Sequence, residues 1–469
     1  MTPEIAIMGH PNEGKSSVLS TLAEDDSVRI SPTPGETTHC RTFPVVIDGR
    51  EVLRFTDTPG FQNPGRVLNM LRQLSGDGGS IVRQFRDLAR NIAELADDRE
   101  LLLPVERGAG IIYVVDGSRP VRNVDREEME ILRLTGRPRM AIINCKEEGE
   151  QYLEDWKDEF RKAFNANRVF NAHRATYAER ILLLTALQSI DQDWQPVLGK
   201  VIATFQHDWA ARNRATADLI IAMLGESLRY RLTVAAGDTA SDQRREEELL
   251  RQFNRNLAEI ERTTHQRIRS LYKHHIFDYQ LPPRSILRED LFNDRTWQVL
   301  GLSKKQLALL GGIGGAAVGA GLDAAHAGLS MGLYAALGGA IGAIGAMIGG
   351  ETLSANASFM GMKLGGQQLQ IGPATSINLL FVLLNRALLF YSHTINWAHG
   401  RRDYDAAAMK DQHAPDRMGF TRGWPPARLR ICNAYFRALQ QDGGGESLRT
   451  ENELRQMLEE VLLEISQRE

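Results

Sequence analysis

The segment Gly9-His10-Pro11-Asn12-Glu13-Gly14-Lys15-Ser16 restricts the fold of this chain more than any other part of it. It follows the apolar run Ile5-Ala6-Ile7-Met8 and leads into a helical stretch over 17–22. Strand, glycine-bounded loop and helix is the context in which such a loop cradles phosphate. Gly9 and Gly14 allow a tight turn that aims successive N–H groups at anionic oxygens. The positive end of the following helix adds to that anion site. Every position from Gly9 to Ser16, and Ser17 after them, is therefore a candidate nucleotide-binding residue. Within this set Lys15 is placed to reach the β- and γ-phosphates and Ser16 to hold Mg2+.

The next stretch, 31–38, is rich in proline, glycine and threonine without helical period, and reads as a loop. Two β-like runs follow, 41–47 and 52–55, joined by the hairpin turn Asp48-Gly49. The second ends in Asp57-Thr58-Pro59-Gly60. A carboxylate at the end of a strand beside the phosphate loop suits a magnesium-associated Asp57, and the Gly60 N–H suits a γ-phosphate. Runs at 109–116 and 140–143 read as buried parallel strands around a helix over 124–134. The expected fold class is α/β, a mostly parallel sheet flanked by helices, followed by an all-α region. Between these elements, 61–107 reads as a helical insert with helices over 67–74 and 81–95, the latter carrying Ile81, Phe85, Leu88, Ile92 and Leu95 at helical spacing.

The boxes Gly9 to Ser16, Pro34-Gly35-Glu36-Thr37 and Asp57 to Gly60 resemble those of Era/TrmE-like P-loop GTPases, over roughly the first 190 residues. The resemblance implies Mg2+ and GTP as cofactor and substrate, and Thr37, or its neighbour Thr38, as a magnesium ligand in the first switch. It gives catalytic roles to Lys15, Thr37 and Gly60. Asn12 matches an asparagine that holds K+ in TrmE-like members; a loop-stabilising side chain is the equal alternative. Phe61 stands where Ras-like enzymes place a water-orienting glutamine, so intrinsic turnover is expected to be slow, with Gln62 a conceivable substitute. Asn144-Cys145-Lys146-Glu147 departs from the Asn-Lys-x-Asp of guanine-specific enzymes: Asn144 is the candidate base contact and Glu147 replaces the aspartate. Asn171 and Ala172, in Asn171-Ala172-His173, are the candidate last nucleotide box, with Thr185-Ala186-Leu187 as a rival.

Beyond about 197 the β signal disappears. Helical patterns fill 196–230 and 241–276, where Leu250, Phe253, Leu257, Ile260, Thr264, Ile268 and Leu271 form a seam. That seam faces a neighbouring helix of the same chain or, less favoured, a second copy. In 307–350 there is no Lys, Arg or Glu, and Asp323 is the one charged side chain. Glycines four apart, as at Gly311, Gly315 and Gly319, let helices approach closely. The segment reads as a helical hairpin with a polar tip, docked in or on a membrane, or else buried in the α-helical region. Leu379 to Tyr391 lie in an amphipathic or deeply packed helix, and two closing helices over 428–439 and 451–465 flank a link, Gly443-Gly444-Gly445. The whole chain resembles a bacterial group of Era-like GTPases with an uncharacterised C-terminal α-helical domain, recognisable in His399-Gly400-Arg401-Arg402. The expected divisions are 1–195, 196–300, 301–355 and 356–469.

The formal charge of -3 over 469 residues gives no global pull toward nucleic acid or anionic lipid. Cys40, Cys145 and Cys432 are far apart and fit a reducing, cytoplasmic compartment, and with a strand so near the start no signal peptide is expected. The combined expectation is a GTP/GDP switch, a slow GTPase, cytoplasmic and peripheral to or inserted at the inner membrane through lipid or a membrane protein. Alternatives are a soluble RNA- or ribosome-assembly GTPase of Era type and a nucleotide-gated homo-oligomeric scaffold.

Overall fold

The computed structural model describes residues 2–23, 39–47, 50–145, 151–170, 177–235, 242–272, 286–288, 291–292, 296, 299–302, 306, 357–359, 362–364, 368–395, 419–441 and 444–467. The chain divides into two compact units, one of Met1–Trp209 with Ile395–Tyr404 and Ser466–Glu469, the other of Ala210–Thr394 with Asp405–Ile465.

In the first unit the elements run β1 (Glu4–Met8), α1 (Lys15–Ala23), β2 (Arg41–Ile47), β3 (Arg50–Asp57), α2 (Pro64–Arg72), α3 (Gly78–Leu88), α4 (Ala96–Leu101), α5 (Leu103–Glu106), β4 (Gly110–Asp116), α6 (Asn123–Leu134), β5 (Arg139–Asn144), α7 (Leu153–Ala163), β6 (Ala166–Phe170), α8 (Tyr177–Gln188) and the start of α9 (Gln195–Arg229). One sheet of order β2-β3-β1-β4-β5-β6 holds all six strands. β2 is antiparallel to β3, and every other pairing is parallel. The central strands β1, β4 and β5 are nearly continuous apolar runs because both their faces are covered. Alternation along β1 sends Ile5 and Ile7 to one face, with Val18, Leu19, Phe55, Leu183 and Leu187. Ala6 and Met8 go to the other, with Phe61, Phe85, Tyr113, Trp156 and Phe160.

The insert between β3 and β4 departs from the expected single helix over 81–95. α3 stops at Leu88, and tight turns over Ala89–Asn91 and Ala93–Leu95 redirect the chain into α4. Leu88 is consequently 59% exposed, although it shares the helical spacing of the buried Phe85.

The second unit contains the rest of α9, β7 (Leu232–Ala235), α10 (Asp242–Leu271), β8 (Ala357–Phe359), β9 (Met362–Leu364), β10 (Gln368–Ile371), α11 (Ile377–Ile395), α12 (Pro426–Gln440) and α13 (Gly444–Ser466). The β signal therefore does not end near 197: β7 pairs antiparallel with β10, and β8 with β9. Strands of three and four residues are too short to show a local period, and β7 and β10 are in addition far apart in the chain. The glycine link also needs correction, because Gly444 and Gly445 lie inside α13.

Along α10, Leu249, Phe253, Leu257, Thr264 and Ile268 are buried within this unit. α11 is buried along nearly its whole length, and its polar residues act as connectors. Asn385 Nδ2 donates to Leu300 O at 2.6 Å and Thr421 Oγ1 at 2.8 Å, while Arg386 pairs with the buried Glu261. Asn213 of α9 accepts from Tyr272 at 3.0 Å and Tyr391 at 2.8 Å, so satisfied polar groups fix the helix register. Among the described residues no helix is long and apolar enough to cross a membrane. The hairpin at 307–350 and His399 to Arg402 lie outside the described residues.

Candidate phosphate-binding site

The loop after β1 turns as its glycines demand. Gly9 has φ 143°, Gly14 φ 93°, and Asn12 takes φ 67°, the left-handed conformation that asparagine tolerates better than most residues. A Cβ on Gly9 would stand 2.3 Å from Val114 O of β4, so only glycine fits. Lys15 is buried, and its Nζ donates to the carbonyls of Gly9 at 3.2 Å and His10 at 2.9 Å. α1 begins at Lys15 with no acidic residue in its first turn, so its positive end is not neutralised from within.

The second box is knitted onto this loop. Thr58 Oγ1 donates to Ile7 O at 2.6 Å, and Phe61 N donates to Gly9 O at 3.4 Å. Gly60 lies so close to Pro11 that a Cβ would sit 2.6 Å from its Cδ. Asp57, at the end of β3, accepts from Ser16 Oγ through Oδ2 at 3.3 Å. Its Oδ1 is buried without a hydrogen-bond partner. Burial pushes the Asp57 carboxyl up, against the pull of Lys15, Ser16 and Arg41. A buried carboxylate oxygen left over beside a serine hydroxyl is a fitting pair of ligands for a hard, oxygen-seeking cation such as Mg2+.

Two further carboxylates grip the loop from α6. Glu128, fully buried, holds His10 Nδ1 at 2.9 Å with one oxygen and accepts from Tyr113 Oη at 2.8 Å with the other. Burial pushes this carboxyl up, and the His10 and Tyr113 bonds draw it back. Asp125, also buried, pairs with Arg119 at 2.7 Å, and Arg119 pairs in turn with Glu13 of the loop at 2.6 Å. Glu13 also accepts from Asp116 N. Burial works against the Arg119 charge, but Asp125 and Glu13 hold it firmly protonated. The Arg119 guanidinium lies 5.2 Å from the Trp156 ring centroid, and Trp156 Nε1 donates back to Arg119 O at 2.8 Å. Asn144, at the end of β5, donates to Glu13 O at 3.0 Å, tying the candidate base contact to the phosphate loop.

The loop residues from Gly9 to Ser16, Asp57, Gly60 and Asn144 thus come together. Ser17 continues α1, its side chain outside the described residues, as are Thr37, Thr38, Glu147, Asn171 and Ala172. Phe61 is buried in the core rather than in the site, while the Gln62 side chain is exposed. Sequence reading missed Arg119, Asp125 and Glu128. The available signal was that Asp125 and Glu128 fall on the same helical face as Met129 and Leu132 instead of the face opposite them.

Residues 4–145 match the family described as 50S ribosome-binding GTPase, and residues 158–464 match the family described as Domain of unknown function (DUF3482). GTPase Der of Thermotoga petrophila is 25% identical over 167 residues, covering 36% of this chain and 33% of that protein. The tRNA modification GTPase MnmE of Pseudothermotoga lettingae is 27% identical over 158 residues, 32% of this chain and 34% of that protein. This chain spans about a third of the length of these curated relatives. A solved structure of Era with MgGDPNP and nucleotides of 16S ribosomal RNA is similar at 16% identity and TM-score 0.30, covering 50% of this chain and 72% of that one.

Proposed function

The chain belongs to the family of the domain of unknown function DUF3482, and on that premise we propose that it is a switch that binds GTP and hydrolyses it slowly. The observation that carries this reading is the meeting of Lys15, Ser16 and Asp57, whose buried Oδ1 has no hydrogen-bond partner. Ser16 and Asp57 would hold Mg2+, with Thr37 as a further ligand. The ion, when bound, supplies positive charge against the phosphate oxygens. Lys15 and the loop amides hold the β- and γ-phosphates and stabilise the charge that grows on the transferred group. The Gly60 N–H contacts the γ-phosphate. Asn144 and Glu147 would read the guanine edge, with Asn171 and Ala172 as the last nucleotide box.

Burial of Phe61 supports slow turnover, because no side chain from that position reaches a water. K+ at Asn12, or a partner, would complete the charge neutralisation. The nucleotide state would pass to the chain's own helical domain, acting as a membrane-associated effector, a reading supported by the near absence of charge in 307–350. The second reading, a ribosome or RNA partner, is favoured by the ribosome-binding family that 4–145 match. Phosphate release from GTP by wild type and Lys15→Ala, with and without K+, tests the enzyme; a rate indifferent to Lys15 contradicts it. Cell fractionation separates a salt-resistant membrane pellet from a salt-released ribosomal fraction.

A further inference from the structure

We propose that Asp98, in the helical insert, is a positioning residue for the Gly60 peptide, so that the insert sets how strongly triphosphate is preferred over diphosphate. This inference rests on the switch reading and adds to it a determinant outside the nucleotide boxes.

α2 begins at Pro64 behind Asn63, whose own side chain makes no capping bond. The amides at this helix entrance are served instead from α4. Asp98, fully buried, accepts from Gln62 N at 3.0 Å through Oδ1 and from Asn63 N at 3.1 Å through Oδ2. Glu94 O accepts from Asn63 Nδ2 at 2.8 Å, and the Glu94 carboxylate pairs with Arg66 on α2. Burial pushes the Asp98 carboxyl up, while the Gln62 and Asn63 amides draw it back.

On its other side the Gly60 segment is fixed by the phosphate loop. Phe61 N donates to Gly9 O at 3.4 Å, and Gly60 abuts Pro11. The backbone just after the Gly60 N–H is therefore fixed twice, at Phe61 N by Gly9 and at Gln62 N by Asp98. The same helix also grips the approach to the strand opposite Asp57. Glu100 Oε1 accepts from Cys40 N at 3.1 Å, Cys40 Sγ lies 3.2 Å from Glu100 O, and the next residue, Arg41, pairs across the sheet with Asp57. One six-residue helix thus holds backbone just after Gly60 and just before the strand residue Arg41 that pairs with Asp57. A contact made to γ-phosphate and absent with diphosphate depends on that hold; contacts to the β-phosphate through Lys15 and the loop do not.

The test is equilibrium titration of GDP and of a non-hydrolysable GTP analogue, with Mg2+, onto wild type, Asp98→Asn and Asp98→Ala. Removing a charge-assisted hydrogen-bond acceptor is expected to weaken the analogue about tenfold in Asp98→Ala while GDP affinity stays within about twofold. Asp98→Asn, which keeps one acceptor oxygen, is expected to fall between. If Asp98→Ala does not fold, Asp98→Asn and amide exchange at Gln62 and Asn63 in wild type decide, with extra protection expected from the analogue and none from GDP. Equal loss for both nucleotides, no loss, or equal protection overturns the inference and leaves the switch reading standing. Wild type that binds neither nucleotide overturns both.

Discussion

Ser16 Oγ donates to Asp57 Oδ2 at 3.3 Å, joining the first turn of the helix after the phosphate loop to the end of a strand 41 residues later. The bond uses one carboxylate oxygen and leaves Oδ1 buried without a hydrogen-bond partner. Holding a charge there opposes folding and favours a cation.

Asp57→Asn is accordingly expected to keep or raise the melting temperature of the nucleotide-free protein while abolishing its magnesium-dependent rise with GTP. For wild type at a ligand concentration about 100 times Kd, that rise corresponds to about 2.7 kcal/mol. Chelation of Mg2+ in wild type should reproduce the variant. Thermal melts with and without nucleotide and metal check both statements.

Gly9→Ala and Gly60→Ala are expected to fail differently. A methyl on Gly9 meets the Val114 carbonyl of the central sheet and requires φ 143°, so the loss should be stability, about 2–4 kcal/mol by denaturant unfolding. A methyl on Gly60 meets the Pro11 ring and backbone. It separates the second box from the loop, lowering GTP turnover more than it lowers stability.

Arg119 stands between Glu13 and Asp125, with side chains 21%, 6% and 0% exposed. Arg119→Met removes the nearer cation of the buried Glu13 carboxylate and leaves it Arg122 at 3.8 Å, so the change should cost about 3 kcal/mol, the low end for breaking a buried pair. The double variant Glu13→Gln with Arg119→Met should cost less than the sum of the two single changes. Urea unfolding of the four proteins closes this cycle, and additive losses would show that the pair is not coupled.

Acid should act on the second unit through His265. Its ring stacks on Phe390 at 4.1 Å, and burial lowers its pKa to about 4, opposed by Glu261 and assisted by Arg386. Unfolded, the imidazole titrates near 6.5, so between these values the unfolded chain binds the extra proton. Stability from this group is complete above pH 6.5 and falls by about 3 kcal/mol as pH drops to about 4. His265→Phe keeps the stack and should flatten this part of the pH–stability curve.

The first unit was legible because its information is local. Gly9, Gly14, Lys15 and Asp57 occupy positions that a strand-loop-helix and a strand end dictate, and buried parallel strands announce themselves as apolar runs. Glu128 and Asp125 were hidden in an acidic stretch that normally means a solvated helix face; their partners His10 and Arg119 lie outside that helix. Asp98 was hidden for the same reason, since its partners are backbone amides at Gln62 and Asn63. In the second unit β7 and β10 are separated by most of that unit's chain. The Asn213, Tyr272 and Tyr391 junction depends on helix packing that no local pattern contains.

Whether the loop around Lys15 binds triphosphate is tested by calorimetric titration of GTP with Mg2+ into the purified chain and its Lys15→Ala variant. Wild type is expected to show saturable one-to-one binding, and the variant at least about a hundredfold weaker binding, from losing a charged phosphate contact and its hydrogen bonds. No saturable uptake by wild type, or uptake unchanged in Lys15→Ala, would contradict a triphosphate site at this loop.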